Sequence, residues 1–129
     1  MRKTTKFIAT MKSNNPAIRM KLGKELSINK KTLQALGQPE HILFWWNESD
    51  EVLLLGSVPE PTDLSFKVSE RYYRTRSCFK IEKKEFLQTV MNIAGWNNDV
   101  TYTIAGTYMP ELDLVTFQLD NTECEYTHN

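Results

Sequence analysis

The stretch Gly23–Leu55, GKELSINKKTLQALGQPEHILFWWNESDEVLLL, constrains this chain more than any other. A turn glycine leads into a short strand with Leu26 and Ile28 on one face. Asn29 is placed to cap a helix over Lys30–Leu36, because its side-chain oxygen can accept from the first free backbone N–H groups. Gly37 stops that helix, since the left-handed backbone of a helix stop costs glycine little. Gln38-Pro39-Glu40 turns the chain. Two strands follow, His41–Trp46 and Glu51–Leu55, joined by the tight turn Asn47–Asp50. The unit is strand, one or two helical turns, hairpin.

A degenerate second copy follows. Gly56–Asp63 (GSVPEPTD) has two prolines and no periodicity, which marks a linker. Leu64–Val68 reads as a strand pairing with the first strand of the chain, and Arg71–Ile81 as extended. Lys83–Ala94 has helical spacing, with Phe86, Val90 and Ile93 on one face and Leu87, Met91 and Ala94 beside it. Gly95 stops it. Val100–Ala105 alternates as a strand, Tyr108–Glu111 turns, and Leu112–Leu119 returns, its alternation shifting phase at Leu114–Val115 as a bulge would make it. The copies align as Leu26 and Ile28 with Phe79 and Ile81, Lys30-Lys31 with Lys83-Lys84, and Leu33 with Phe86. Gly37 aligns with Gly95 after an insertion of about one helical turn. Ile42 and Phe44 align with Val100 and Tyr102. One unit of this size cannot bury its own apolar face, so two copies on one chain of 129 residues are expected to share a core. Ile28, Leu33, Leu36 and Ile42 should pack against Phe86, Val90, Ile93 and Val100.

Ahead of the organising stretch, Lys6–Met11 and Ala17–Leu22 read as strands. In the second, Ile18 and Met20 alternate with Arg19 and Lys21. The strand His41–Trp46 is apolar on both faces, which fits burial on both sides better than a ligand platform.

The Gly23–Gly37 pattern resembles the AbrB/MraZ/SpoVT-like family of swapped-hairpin DNA-binding domains. Gly23-Lys24 stands for the family's glycine–basic pair, Ile28-Asn29 for its Ile-Pro, and Leu36-Gly37 closes the helix at the family spacing. The resemblance implies a mainly β (α+β) fold with short helices. It would be a swapped-hairpin barrel built from two strand–helix–hairpin repeats in the tandem, MraZ-like arrangement. Repeat one would span 1–62, repeat two 63–119, and an acidic tail, expected to be loose, 120–129. The chain departs from the family at Leu33 and Gln34, where members often carry an arginine pair, and at Arg76, which stands in place of Gly23.

Net charge is zero, yet it is unevenly placed. Residues 1–40 carry nine Lys/Arg and two acids, a net of +7, and the remainder carries −7. A basic face and an acidic face or tail are therefore expected. Arg19, Lys21, Lys24, Lys30 and Lys31 form the candidate DNA-binding set. Lysines suit phosphate contact, whereas base edges are better read by the planar arginine fork. The expected function is that of a bacterial-type, cytoplasmic transcription regulator binding double-stranded DNA. The alternative is a protein-interaction or antitoxin-like module on the same scaffold, engaging a partner through the aromatic hairpin or the acidic tail. Exposed hairpin edges would also allow a homo-oligomer.

Hydrophobic content of 40% and charged content of 25% are those of a soluble globular protein. The basic start is not followed by an apolar segment, so neither a signal peptide nor a membrane span is expected. Cys78 and Cys124 have no metal-ligand spacing and read as free cytosolic thiols. His41 and His128 are the two histidines, and no nucleophile–base set, HExxH or phosphate loop is present. No catalytic residue, metal or cofactor is expected.

Overall fold

The computed structural model describes residues 15–75, 77–121 and 123–126. The strand expected over Lys6–Met11, residue Arg76, His128 and the side chain of Cys124 lie outside what is described. The fold is mainly antiparallel β with two short helices, its sheet curled into a half-barrel.

The N-terminal elements follow their local signals closely. Strand β1 (Ala17–Lys21) puts Ile18 and Met20 fully inside. The turn Leu22–Lys24 closes with the Lys24 N–H donating to the Lys21 carbonyl at 2.8 Å, and Gly23 takes φ +68°. Strand β2 (Glu25–Ile28) leads to Asn29, which is 1% exposed. The Asn29 Oδ1 accepts from the Thr32 N–H at 3.0 Å, from the Thr32 hydroxyl at 2.6 Å and from the Ala17 N–H at 3.1 Å. One side chain thus caps helix α1 (Lys30–Ala35) and pins the start of β1. Gly37, at φ +83°, ends the helical turn as expected. Strands β3 (His41–Asn47) and β4 (Val52–Ser57) form the first hairpin.

The C-terminal half supplies β5 (Phe66–Lys67), a 3-10 segment (Glu70–Arg74), β6 (Phe79–Ile81), α2 (Lys84–Ala94), β7 (Val100–Met109), β8 (Leu114–Gln118) and β9 (Glu123–Tyr126). The sheet order is β5-β3-β4-β8-β7-β1-β2-β6, with β9 on β7. Its register has two points of near-twofold symmetry. Leu26 lies opposite Ile81 and Ile28 opposite Phe79, about the pair Ser27–Lys80. Val52 lies opposite Gln118 and Gly56 opposite Leu114, about Leu54–Thr116. Each half also lends a strand to the other's hairpin: β1 pairs with β7, and β5 with β3.

Neither half encloses a separate core. Ile18, Ile28, Leu33, Leu36 and Ile42 cluster with Phe79, Ile81, Leu87, Val90 and Met91. Three details differ from the expected core. Helix α2 turns Leu87, Val90 and Met91 inward, leaving Phe86 half-buried and Ile93 37% exposed. Val100 is buried, but apart from that cluster. The paired isoleucines Ile18–Ile104, set beside Phe66–Ile42, align Ile42 with Ile104 rather than with Val100.

Other departures have local causes. Strand β5 pairs with β3, not with the first strand, because β1 is already held between β2 and β7. Within Arg71–Ile81, expected to be extended, Tyr72 and Tyr73 pack against the core from a 3-10 turn. Strand β7 runs through the expected turn to Met109, and the chain reverses at Pro110–Asp113. Strand β8 pairs with β4 and β7 in unbroken register, so there is no bulge. The phase shift arises because Leu112 lies in the turn, 63% exposed. The tail is not loose throughout, since Glu123–Tyr126 pairs with β7. Strand β3 is covered more fully on one face than on the other: Ile42 is fully buried and Phe44 and Trp46 pack on the core, whereas Leu43 is half-buried and Trp45 is 40% exposed.

Candidate nucleic-acid interface

Alternation on β1 places Arg19 and Lys21 on the face away from the core. The Arg19 Nε donates to the Thr103 hydroxyl at 3.2 Å, which lays its stem across β7. Lys21 is exposed at the strand end, opposite Glu25 and Thr101. Lys24 is exposed in the turn. A side chain at Gly23 would be strained by the positive φ, and its Cβ would come within 2.8 Å of the end of the Asn98 side chain, which would have to move. Lys24 follows Gly23 in that turn. It shares a shallow cavity of about 860 Å³ with Lys84, Glu85, Gln88 and Asp99. Two carboxylates balance two ammonium groups there.

The paired lysines at the start of α1 part company. Lys31 is exposed, whereas the Lys30 ammonium donates to the carbonyls of Tyr72 at 3.1 Å, Tyr73 at 2.9 Å and Thr75. Lys30 satisfies the carbonyl end of the 3-10 segment, where a cation is favoured. It is committed to the fold rather than offered to a phosphate. The structure thus gathers Arg19, Lys21 and Lys24 around β1 and its turn, and sets Lys30 apart.

One residue of this surface escaped the sequence reading. The register rows run Thr103–Arg19–Ser27–Lys80 across four strands, so Lys80 joins Arg19 on the outer face. The Lys80 ammonium lies 3.9 Å from the Glu25 carboxylate. Cys78 reports the same neighbourhood: burial pushes its thiol pKa up, Lys80 and Arg19 pull it down, and Glu25 raises it. A signal was available. All seven basic residues of 41–129 fall within Lys67–Lys84, so the net −7 of that region concealed a second basic segment.

Among the described residues no group of His, Cys, Asp and Glu side chains is arranged to hold a metal ion, and no helix is long and apolar enough to cross a membrane. On that row Ser27 and Thr103 are buried, Arg19 is half-buried and Lys80 is exposed, so the charged ends and not the hydroxyls are what the face presents. No protein-family model, curated protein or solved structure matches the chain.

Proposed function

We propose that this chain is a DNA-binding protein of the AbrB/MraZ swapped-hairpin type, a transcription regulator that holds duplex DNA by its phosphates. The interleaved register carries the proposal. Each half completes the other's hairpin sheet, as a tandem swapped-hairpin barrel requires, and the near-dyad at Ser27–Lys80 lies in the outward row bearing Arg19. A surface built around a near-dyad suits a duplex, whose two backbones are themselves related by dyads. The contact set in this reading is Arg19, Lys21, Lys24 and Lys31 from the N-terminal half and Lys80 from the C-terminal half. Lys30 acts through the fold.

The test is binding of a random-sequence duplex, followed by fluorescence anisotropy across salt concentration. Binding that weakens steeply with salt is expected, and each phosphate contact removed should flatten the log–log slope by about 0.9. The triple variant K21A/K24A/K80A should lose most of the affinity at about 50 mM salt. A parent protein that fails to bind at that salt, or a triple variant with the parental slope, would defeat the proposal.

A further inference from the structure

Helix α2 is apolar over more of its circumference than the core uses. Leu87, Val90 and Met91 are buried, whereas Phe86 is half-buried and Ile93 is 37% exposed. Phe86 belongs to an aromatic wall. Its ring centroid is 5.2 Å from that of Phe44 and 4.9 Å from that of Phe66. Between this wall, Trp46 and Ile93 lies a cavity of about 270 Å³, with Leu64 on its lip at 73% exposed. Helix α1 shows no such surplus: Leu33 and Leu36 are 3% and 5% exposed.

Ile93 and Trp46 also line a second cavity of about 500 Å³, which reaches the C-terminal end of α2 at Ala94 and Gly95. Glu48, Glu51 and Asp120 line that end. None of these three carboxylates makes an ion pair with a described residue. The C-terminal end of the helix adds its own partial negative charge. The two adjoining cavities make a trough that is mainly aromatic and aliphatic at one end, where the opposite charges of Lys83 and Glu85 also line it, and anionic at the other.

We infer that this trough binds a peptide segment of another protein, one that carries leucine-sized or aromatic side chains and ends in basic residues. Charge complementarity selects that occupant. Phosphate and acidic peptides are repelled by the carboxylate end, while a basic segment meets three unpaired carboxylates and the helix end together. The apolar end supplies pockets for anchoring side chains, the usual source of affinity when an amphipathic segment enters a groove. The inference is independent of the DNA reading, which uses β1, β2 and β6.

The probe is a fluorescein-labelled amphipathic peptide of about 14 residues with Phe and Leu at helical spacing and Lys-Arg-Lys at either end. A second peptide keeps the apolar residues and carries Glu-Asp-Glu instead. The basic peptide should bind, and the acidic one should bind at least about tenfold more weakly. The variant L64S/I93S should lose about tenfold for the basic peptide with duplex binding unchanged, both side chains being partly exposed already. E48Q/E51Q/D120N should lose a similar factor along with most of the salt dependence. Absence of binding by the basic peptide, equal binding of the two peptides, or parental affinity in L64S/I93S would each overturn the inference.

Discussion

The two halves reach one register by different routes. In the N-terminal half, β1 and β2 are joined by Leu22–Lys24, and β1 pairs with β7 over five residues. In the C-terminal half the corresponding strands are β5 and β6. They are separated by Val68–Cys78, and β5 pairs with β3 over two residues. The 3-10 segment occupies the longer route and is tied across to Lys30. The helices differ likewise. Helix α1 starts on a buried, fully bonded Asn29, whereas α2 starts at Lys83, which makes no side-chain cap. Pairing therefore depends on the inward residues, Leu26 and Ile28 against Phe79 and Ile81, and not on how strands are connected. The looser half is where surface is left over: the lysine-bound loop, the half-open face of α2 and the exposed Leu64.

The largest expected effect comes from the tight side of that contrast. Asn29→Ala removes the α1 cap and leaves the buried Ala17 N–H with one fewer acceptor. A cap is worth about 1 kcal/mol and the lost acceptor of the buried Thr32 hydroxyl about 1 kcal/mol more, while the Ala17 N–H keeps the Thr32 oxygen at 3.0 Å, so a loss of about 2 kcal/mol is expected in urea unfolding. Lys83→Ala, at the same place in the other half, should stay within about 0.5 kcal/mol. Equal losses would mean that the two helix starts do the same job despite their geometry.

Next is the bond between the halves. Lys30→Ala takes the ammonium from three carbonyls, of which that of Tyr72 keeps the Thr75 N–H at 3.2 Å, and should cost about 1–2 kcal/mol, while the exposed neighbour Lys31→Ala should cost under about 0.5 kcal/mol. Hydrogen exchange should speed up at Tyr72 and Thr75, whose N–H groups bond within that segment. Parental exchange there in Lys30→Ala would show that the segment is held by its tyrosines alone.

Much of this contrast was legible in the residues, and the remainder was not, for identifiable reasons. Asn29, Gly37 and Gly95 act through local backbone chemistry, so their roles could be read in place. The shared core was legible as well, because neither copy carries enough apolar residues alone. The 3-10 segment was not. Two adjacent tyrosines among arginines look extended until the core they pack against and the Lys30 ammonium are both present. Lys30 and Lys31 look equivalent in sequence, and tertiary contact alone separates them. Lys80 was hidden because pairing across the near-dyad brings it beside Arg19 from far along the chain. The second face of α2 is not legible as surface, because periodicity shows which residues are apolar, not how many of them a partner covers.

A smaller effect should follow pH through the same segment. The Tyr73 hydroxyl donates to the Pro39 carbonyl, and burial raises its pKa from 10.0 to about 12. The neutral phenol is thus favoured in the folded state. Its contribution is complete below the unfolded pKa of 10.0 and is lost as pH rises toward about 12. Tyr73→Phe should be less stable than the parent at neutral pH and should lose less of its stability between those two values. An identical alkaline decline in both proteins would show that the phenol titrates without consequence for folding.

The smallest effect separates lysines by their place on the surface. Lys24 stands exposed in the β1–β2 turn, and Lys31 stands exposed on α1. If the outer face of β1, β2 and β6 meets the phosphates, Lys24→Ala should flatten the salt dependence of duplex binding by about 0.9 in slope. Lys80→Ala should do so by a similar amount if the near-dyad brings the C-terminal half onto the same duplex, although part of its charge is already answered by Glu25 at 3.9 Å. The Lys80 side chain is 55% exposed and the pair is long, so Glu25 should not withhold Lys80 from a phosphate. Glu25→Gln is then expected to raise duplex affinity only slightly at low salt. A slope changed by Lys24→Ala and left alone by Lys80→Ala would confine the contact to the N-terminal half. The register symmetry would then be a property of folding alone.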